Sequence, residues 1–345
     1  MKVTFLKDSS LIISTPPLDD EADESADTSS EIEWRNWVVS AALHGERLDR
    51  ALAELVPEFS RSYLQQLIET GAVVQNQHPL LKPSMRVKAG DHGVIELRPT
   101  PKSQAFKPEP MTLETVFADD YLRVINKPAG LVVHPAPGNW SGTLLNGLLA
   151  NDPKAASLPR AGIVHRLDKD TSGLMMIART RPVMDALVNL IAQREVSRQY
   201  VALANKPWFG PNTREVEAAI GRDPKNRLRM AVVNLEHQSG KTAKTRFELI
   251  QNGEKGCCLR CTLFTGRTHQ IRVHAASLGH PLVADELYGG AAAAGMQRQA
   301  LHAFRLAFKH PVTGEALVFG APLPDDFGQA LKIWGLGYNE SQLDP

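Results

Sequence analysis

The chain has 345 residues, 43% of them hydrophobic, which is long for one domain and apolar enough for a buried core. Ordinary glycine and proline contents exclude collagen-like and low-complexity proteins, and the core excludes a fully disordered chain. The only cysteines, Cys257, Cys258 and Cys261, exclude a disulfide scaffold. No apolar run reaches the roughly 18 residues of a membrane span. We therefore expect a cytoplasmic protein with no membrane contact.

The net charge of +1 hides a segregation of charge along the chain. Residues 19–33 hold eight acidic side chains and no basic one, and the remainder has 39 basic against 30 acidic residues. Residues 1–43 are predicted to form an acidic, disordered tail. The basic remainder favours a polyanionic partner.

Residues 44–98 are predicted to form a small module. Leu48, Leu52 and Leu55 recur at helical spacing, and Ser60 is a predicted N-cap of a second helix. Short strands are expected to follow, so the module holds two helices and a few strands. It is too small for the core of an enzyme.

Residues 99–111, rich in proline and polar side chains, are a predicted linker, and residues 331–345 a C-terminal extension. Between them, residues 112–330 alternate strand and helix patterns. Predicted strands lie at 122–125, 131–134, 163–165, 174–178, 196–204, 246–250 and 259–263. Several connections are too short for parallel crossovers, so we expect an α/β or α+β fold with a mixed, largely antiparallel sheet.

The densest cluster of reactive side chains lies at residues 162–173, with the sequence GIVHRLDKDTSG. It places Asp168 in a tight turn between two predicted strands, beside Arg166. A carboxylate held by strands on both sides is preorganised for chemistry, whereas the alternative is an ordinary surface turn. Spacing alone does not decide between them.

A second cluster, LFTGRTHQIRVH at residues 263–274, presents Arg267 after a strand end. A guanidinium suits forked contacts to carboxylate or phosphate, although a plain surface arginine is the alternative. His269 and His274 lack zinc-site spacing and are expected to be structural. Cys258 and Cys261 should point to opposite faces of one strand. Phosphate-cradling and dinucleotide motifs are missing from the sequence, so no metal or nucleotide cofactor is expected.

Residues 165–173, HRLDKDTSG, resemble the active-site signature of the RluA/RluD-type RNA pseudouridine synthases. Further segments resemble this family in the same order: Asn126–Pro128, Val133–Pro135, Tyr200, Thr265–Gln270 and Ala321–Pro324. Residues 46–97 resemble an S4 RNA-binding module. The likeness is greatest to the RluD branch, which modifies large-subunit ribosomal RNA.

The resemblance implies a role for each matching residue. Asp168 would be the catalytic carboxylate, Arg267 its charge partner, and Tyr200 would stack on the uracil, with Arg166 and His165 positioning the substrate. Uridine isomerisation neither oxidises nor adds anything, so no cofactor is implied. The S4-like module would contact phosphates through five basic residues: Arg47, Arg50, Arg61, Lys82 and Lys88.

The expected function is therefore uridine isomerisation in large-subunit ribosomal RNA by a monomeric enzyme. One alternative is the same chemistry on transfer RNA or at another ribosomal RNA site. A second is a non-catalytic RNA-binding factor of ribosome assembly, against which the presence of Asp168, Tyr200 and Arg267 argues.

Overall fold

A computed structural model describes residues 33–57, 59–97, 105–136, 139–226 and 228–337. The chain divides into two compact units, Met1–Pro99 and Thr100–Pro345. The predicted acidic tail lies outside the described residues as far as residue 32. Within the described ranges, no helix is both long and apolar enough to cross a bilayer.

The first unit contains the elements β1 (Glu33–Val38), α1 (Leu48–Leu55), α2 (Arg61–Glu69), β2 (Val73–Gln75), β3 (His78–Pro79) and β4 (His92–Leu97). Its antiparallel sheet has the strand order β1-β4-β2-β3. Leu48 and Leu52 of α1 and Leu64 of α2 are buried in one core. The Ser60 hydroxyl accepts a hydrogen bond from the Tyr63 N–H and caps α2, as predicted.

Strand β1 corrects the predicted boundary of the tail, because residues 33–43 were assigned to it. All of β1 pairs with β4, and Trp37, Val39 and Leu43 are buried in the first unit's core. The acidic run next to this segment masked its alternating apolar residues. The ordered unit thus begins before residue 44.

The second unit begins with β5 (Glu114–Ala118), β6 (Leu122–Lys127), α3 (Leu144–Asn151), β7 (Ser172–Ala178), α4 (Arg181–Ala192), β8 (Ser197–Asn205), β9 (Thr213–Glu217) and β10 (Ile220–Arg222). It continues with β11 (Met230–Val232), β12 (Lys244–Asn252), β13 (Gly256–Leu263), α5 (Gln270–Ser277), β14 (Leu301–Lys309), β15 (Ala316–Gly320) and α6 (Asp325–Ile333).

A nine-stranded sheet organises the second unit, in the order β5-β6-β7-β14-β8-β13-β12-β9, with β15 beside β14. The β7–β14 pair is parallel and the other recorded pairs in this sheet are antiparallel, which confirms the predicted fold class. Side chains alternate between two apolar layers: Tyr200 and Ala202 of β8 enter one core, and Val201 and Leu203 the other. Helix α3 packs in the first of these cores, and α6 in the second.

Two predicted strands do not form. At residues 131–134, the carbonyls of Val132 and Val133 accept hydrogen bonds from the first N–H groups of α3, so they are used by a helix. At residues 163–165, Ile163 alone forms an isolated bridge, with Ile177 of β7. Asp168 therefore precedes one full strand and does not lie between two.

Both ends of the predicted catalytic domain extend further than expected. The carbonyls of Ala105 and Lys107, within the predicted linker, accept hydrogen bonds from the Asn146 amide at 3.2 and 2.8 Å. Beyond residue 330, Leu331 and Leu336 are buried in the core that contains α6. Hydrogen bonds at one end and apolar contacts at the other thus fix the segments that were predicted to be a linker and an extension.

Asp49 is a fully buried carboxylate of the first unit. It accepts hydrogen bonds from Arg47 at 3.0 Å, Arg61 at 2.9 Å and Gln65 at 2.5 Å. Burial alone would raise its pKa, but these hydrogen bonds outweigh burial and hold the pKa of Asp49 well below the ordinary value.

We expect Asp49→Asn to lower the unfolding free energy of the first unit by about 2 kcal/mol, since charge-assisted hydrogen bonds are lost. Amide hydrogen exchange in α1 measures this. Because the folded-state pKa is lowered, the stabilisation should be present above about pH 4 and disappear as the pH falls. Equal exchange rates in both proteins at neutral pH would contradict this role of Asp49.

Candidate active site

A cavity of about 440 Å³ lies in the second unit. Its walls come from the Asp168 loop (residues 163–171), the Arg267 loop (residues 264–269), β8 and the first turn of α5. The structure thus brings together all five residues that the sequence analysis assigned to the active site: His165, Arg166, Asp168, Tyr200 and Arg267.

The Asp168 loop is anchored on both sides of its carboxylate. Leu167 is buried in the main core, and the His165 ring accepts a hydrogen bond from the Met176 N–H at 3.0 Å. Burial, with a smaller effect of Arg198, lowers the pKa of His165 to about 3, so the ring is neutral and suited to accept. His165 therefore positions the loop through β7.

Lys127 holds the same loop through its backbone. Its ammonium is fully buried and donates hydrogen bonds to the carbonyls of Pro128, Leu131 and Lys169 at 2.8, 2.9 and 2.9 Å. Burial lowers the pKa of Lys127 to about 7. The carbonyl next to Asp168 is thereby tied to the end of β6.

Arg272, on the first turn of α5, is the cation that holds the Asp168 carboxylate. Its Nη1 lies 3.1 Å from Asp168 Oδ2, and its Nε and Nη2 each lie 2.8 Å from an oxygen of buried Asp285. Burial opposes this charge, but hydrogen bonds to Asp285 and attraction by both carboxylates raise the pKa of Arg272. The Tyr288 ring, 5.0 Å away, covers the guanidinium.

The predicted ion pair between Arg267 and Asp168 does not form. The Arg267 Nε donates instead to the Thr242 carbonyl at 3.1 Å, so the side chain runs along the cavity wall. Sequence reasoning missed Arg272 although it lies in the same motif. The available signal was its position inside the following helix, where a side chain is held more rigidly than in the preceding loop.

Gln270 explains the shape of the Arg267 loop. Its side-chain oxygen accepts from the Thr265 hydroxyl and the Arg267 N–H at 2.7 and 3.0 Å, and its amide donates to the Lys244 carbonyl at 3.0 Å. His269 turns the chain into α5 with a left-handed backbone, at φ 56° and ψ 22°.

The two histidines of this motif are hydrogen-bonded within the unit, as predicted. His269 pairs with the Tyr288 hydroxyl at 2.8 Å, and His274 with the Thr245 hydroxyl at 2.9 Å. The other ring nitrogen of His269 is 3.9 Å from Asp168, and burial lowers the pKa of His269. A neutral His269 therefore completes the wall beside the carboxylate.

Tyr200 and Phe264 are aromatic residues of the cavity lining, and Tyr200 is the one that the sequence analysis assigned to the site. It is buried, and burial raises its pKa to about 12, so the hydroxyl stays protonated. Arginines outnumber acids in the lining: Arg166, Arg194, Arg198, Arg267 and Arg272 accompany the single carboxylate of Asp168. Arg166 and Arg194 are exposed. The cavity is therefore suited to an anionic substrate that carries a flat ring.

In the first unit, the five predicted RNA-binding residues differ in whether an acidic side chain of the protein contacts them. Arg47 and Arg61 share the buried Asp49, whereas Arg50 lies 3.6 Å from Glu46. Lys82 and Lys88 are exposed. RNA contacts by these residues stay a prediction.

Cys258 and Cys261 point to opposite faces of β13, as predicted. Cys258 is buried in one core of the sheet and Cys261 in the other. Among the described residues, no group of three His, Cys, Asp or Glu side chains is arranged to hold a metal ion.

A carboxylate held by a guanidinium in an arginine-lined cavity is a site suited to an enzyme that acts on a nucleic acid. Residues 121–277 match the family described as RNA pseudouridylate synthase, and residues 46–92 match the S4 domain. The chain belongs to the RNA pseudouridine synthase family, whose members are isomerases. This confirms the resemblance found in the sequence.

Similar proteins cover most of the chain. Ribosomal large subunit pseudouridine synthase D of Neisseria meningitidis serogroup B is 46% identical over 342 residues, which cover 94% of this chain and 89% of that protein. The protein of the same name from Xylella fastidiosa is 44% identical over 310 residues, covering 86% and 91%. The structure of human RNA Pseudouridylate Synthase Domain Containing 4 shares the fold, with a TM-score of 0.51, 23% identity and coverage of 65% and 94%.

Arg272→Lys should lower the single-turnover rate of uridine isomerisation roughly ten- to a thousandfold, or about 1.4–4 kcal/mol of barrier. Lysine keeps the charge but cannot bridge Asp168 and Asp285 with a planar fork. Arg267→Lys is the matched comparison and should cost less than about tenfold, because one contact to a carbonyl is at stake. A larger loss of rate in Arg267→Lys than in Arg272→Lys would support the predicted pairing of Arg267 with Asp168.

Proposed function

We propose that the protein isomerises specific uridines to pseudouridine in large-subunit ribosomal RNA, with Asp168 as the catalytic carboxylate. The observation that carries the proposal is the contact of Asp168 with Arg272 inside a cavity that Tyr200 also lines. The fixed guanidinium orients the carboxylate before the RNA arrives.

The reaction breaks the bond from ribose C1′ to uracil N1 and forms one from C1′ to C5. Cleavage develops positive charge at the sugar, which a nearby carboxylate can stabilise or capture. Asp168 can act on the sugar, on the base, or on a sugar proton. In each route C5 loses a proton and N1 gains one, so no oxidant or cofactor is needed.

The target uridine must leave its stack to reach the cavity. Tyr200 offers a face on which the flipped uracil can stack, and the exposed Arg166 can fill the vacated space or hold a phosphate. The neutral His165 positions the loop that carries both Arg166 and Asp168. The S4 domain adds salt-dependent affinity through Arg47, Arg50, Arg61, Lys82 and Lys88.

The choice of large-subunit ribosomal RNA is supported by the names of the relatives that are 44–46% identical over most of their length. Such a substrate also fits the cytoplasmic location and the monomeric state expected from the sequence. Transfer RNA is the competing substrate. Pseudouridine mapping in a strain lacking the protein decides: lost ribosomal sites support the proposal, and lost transfer RNA sites with intact ribosomal ones overturn it.

Asp168→Asn should abolish isomerisation while RNA affinity changes less than about twofold, because phosphate contacts elsewhere dominate binding. Tritium release from C5-labelled uridine measures the reaction, and filter binding measures the affinity. Asp170→Asn, in the same loop but outside the cavity lining, is the matched control and should retain turnover. Appreciable turnover by Asp168→Asn would refute the assignment.

A further inference from the structure

Arg198 differs from every other arginine of the cavity. It is 6% exposed and lines the cavity, yet its Nε has no hydrogen-bond partner and no carboxylate pairs with it within the described chain. Arg272 is held by two carboxylates, Arg267 by a carbonyl, and Arg166 and Arg194 are exposed. Arg198 alone combines burial with a lack of acceptors.

The fold places this guanidinium beside the aromatic ring of the site. Arg198 and Tyr200 are two residues apart on β8, so their side chains leave the same face of the sheet. The side chain also lies against the backbone of Gly266, where a Cβ atom would come within 2.8 Å of Arg198 Nη1. Gly266 therefore makes room for the guanidinium at the base of the Arg267 loop.

An unpaired buried charge is costly to the free protein, because its lost hydration is not replaced. Burial lowers the pKa of Arg198, and a guanidinium nevertheless keeps its charge in proteins. The titratable groups that interact with its charge, Tyr200 and His165, are neutral, so they do not balance it. A molecule bound in the cavity can supply the missing acceptor.

We propose that Arg198 is a further catalytic residue, which donates hydrogen bonds to a uracil carbonyl oxygen and stabilises the negative charge that the base gains when its glycosidic bond breaks. This inference rests on the proposed function. When the C1′–N1 bond breaks, its electron pair stays on N1 and spreads to the two carbonyl oxygens. The negative charge on the uracil is neutralised when C5 bonds to C1′. C5 then loses its proton and N1 takes one up.

The burial of Arg198 favours the uracil base over a phosphate as its partner. A phosphodiester stays hydrated at the mouth of a cavity, where Arg166 and Arg194 are exposed. A residue that is 6% exposed and adjacent to Tyr200 lies where the flipped ring would be. A cation in a water-poor site also stabilises developing charge more strongly than one in solvent.

The test compares wild type with Arg198→Met, which keeps the length and removes the charge. At saturating RNA we expect the single-turnover rate to fall about a hundredfold, with RNA affinity within about twofold of wild type. The melting temperature of the free protein should stay equal or rise, because an uncompensated charge is removed. A purely structural role would instead lower it.

Two further variants complete the experiment. Arg198→Lys keeps the charge without the fork and should lose about tenfold in rate. Arg305→Met is the matched control, since Arg305 is half-buried with an unpaired Nε but does not line the cavity, and its rate should not change.

Four results would overturn the proposal. Weaker RNA binding with a normal saturated rate would assign Arg198 to a phosphate, and a melting temperature lowered in step with the rate would make it structural. A normal rate and affinity in Arg198→Met would remove it from the site while the proposed function stands. An inactive wild type would overturn the proposed function and this inference together.

Discussion

One guanidinium organises the candidate active site. Arg272 extends from the first turn of α5 and binds Asp168 from one segment and Asp285 from another, with all three side chains largely withdrawn from water. Removing either end would leave a charge uncompensated in the interior, which costs several kcal/mol. The position of Asp168 is therefore set by the packing of α5, and the geometry exists before substrate binds.

Lys127 provides the second restraint, and it acts on the backbone. Two of its three carbonyl partners come from the turn after β6 and the third from the Asp168 loop, so one ammonium fixes two segments together. The carboxylate is thus constrained through its side chain by Arg272 and through its main chain by Lys127. A rigid carboxylate avoids reorganisation during the reaction, which is how fixed charges lower a barrier.

Local patterns in the sequence predict α1, α2 and the strands β6, β7, β8, β12 and β13, and the signature around Asp168 points to the candidate site. Periodicity fails where tertiary contacts decide. Val132 and Val133 have strand composition but their carbonyls accept from α3, and Trp37 lies in a strand that neighbouring acids disguise. The partner of Asp168 was misassigned because Arg267 and Arg272 share one motif, and only the start of α5 between them determines which reaches the carboxylate.

The arginines of the cavity differ in what compensates their charge. Arg272 has its acceptors within the protein and therefore contributes to the fold and to the position of Asp168. Exposed Arg166 is compensated by water, so it can exchange water for a phosphate at little cost. Arg198 is buried with no protein acceptor for its Nε among the described residues, so its charge weakens the free enzyme at the position where charge on the base would be received. Stability and catalysis oppose each other at that residue, and binding energy from the rest of the RNA can offset the cost.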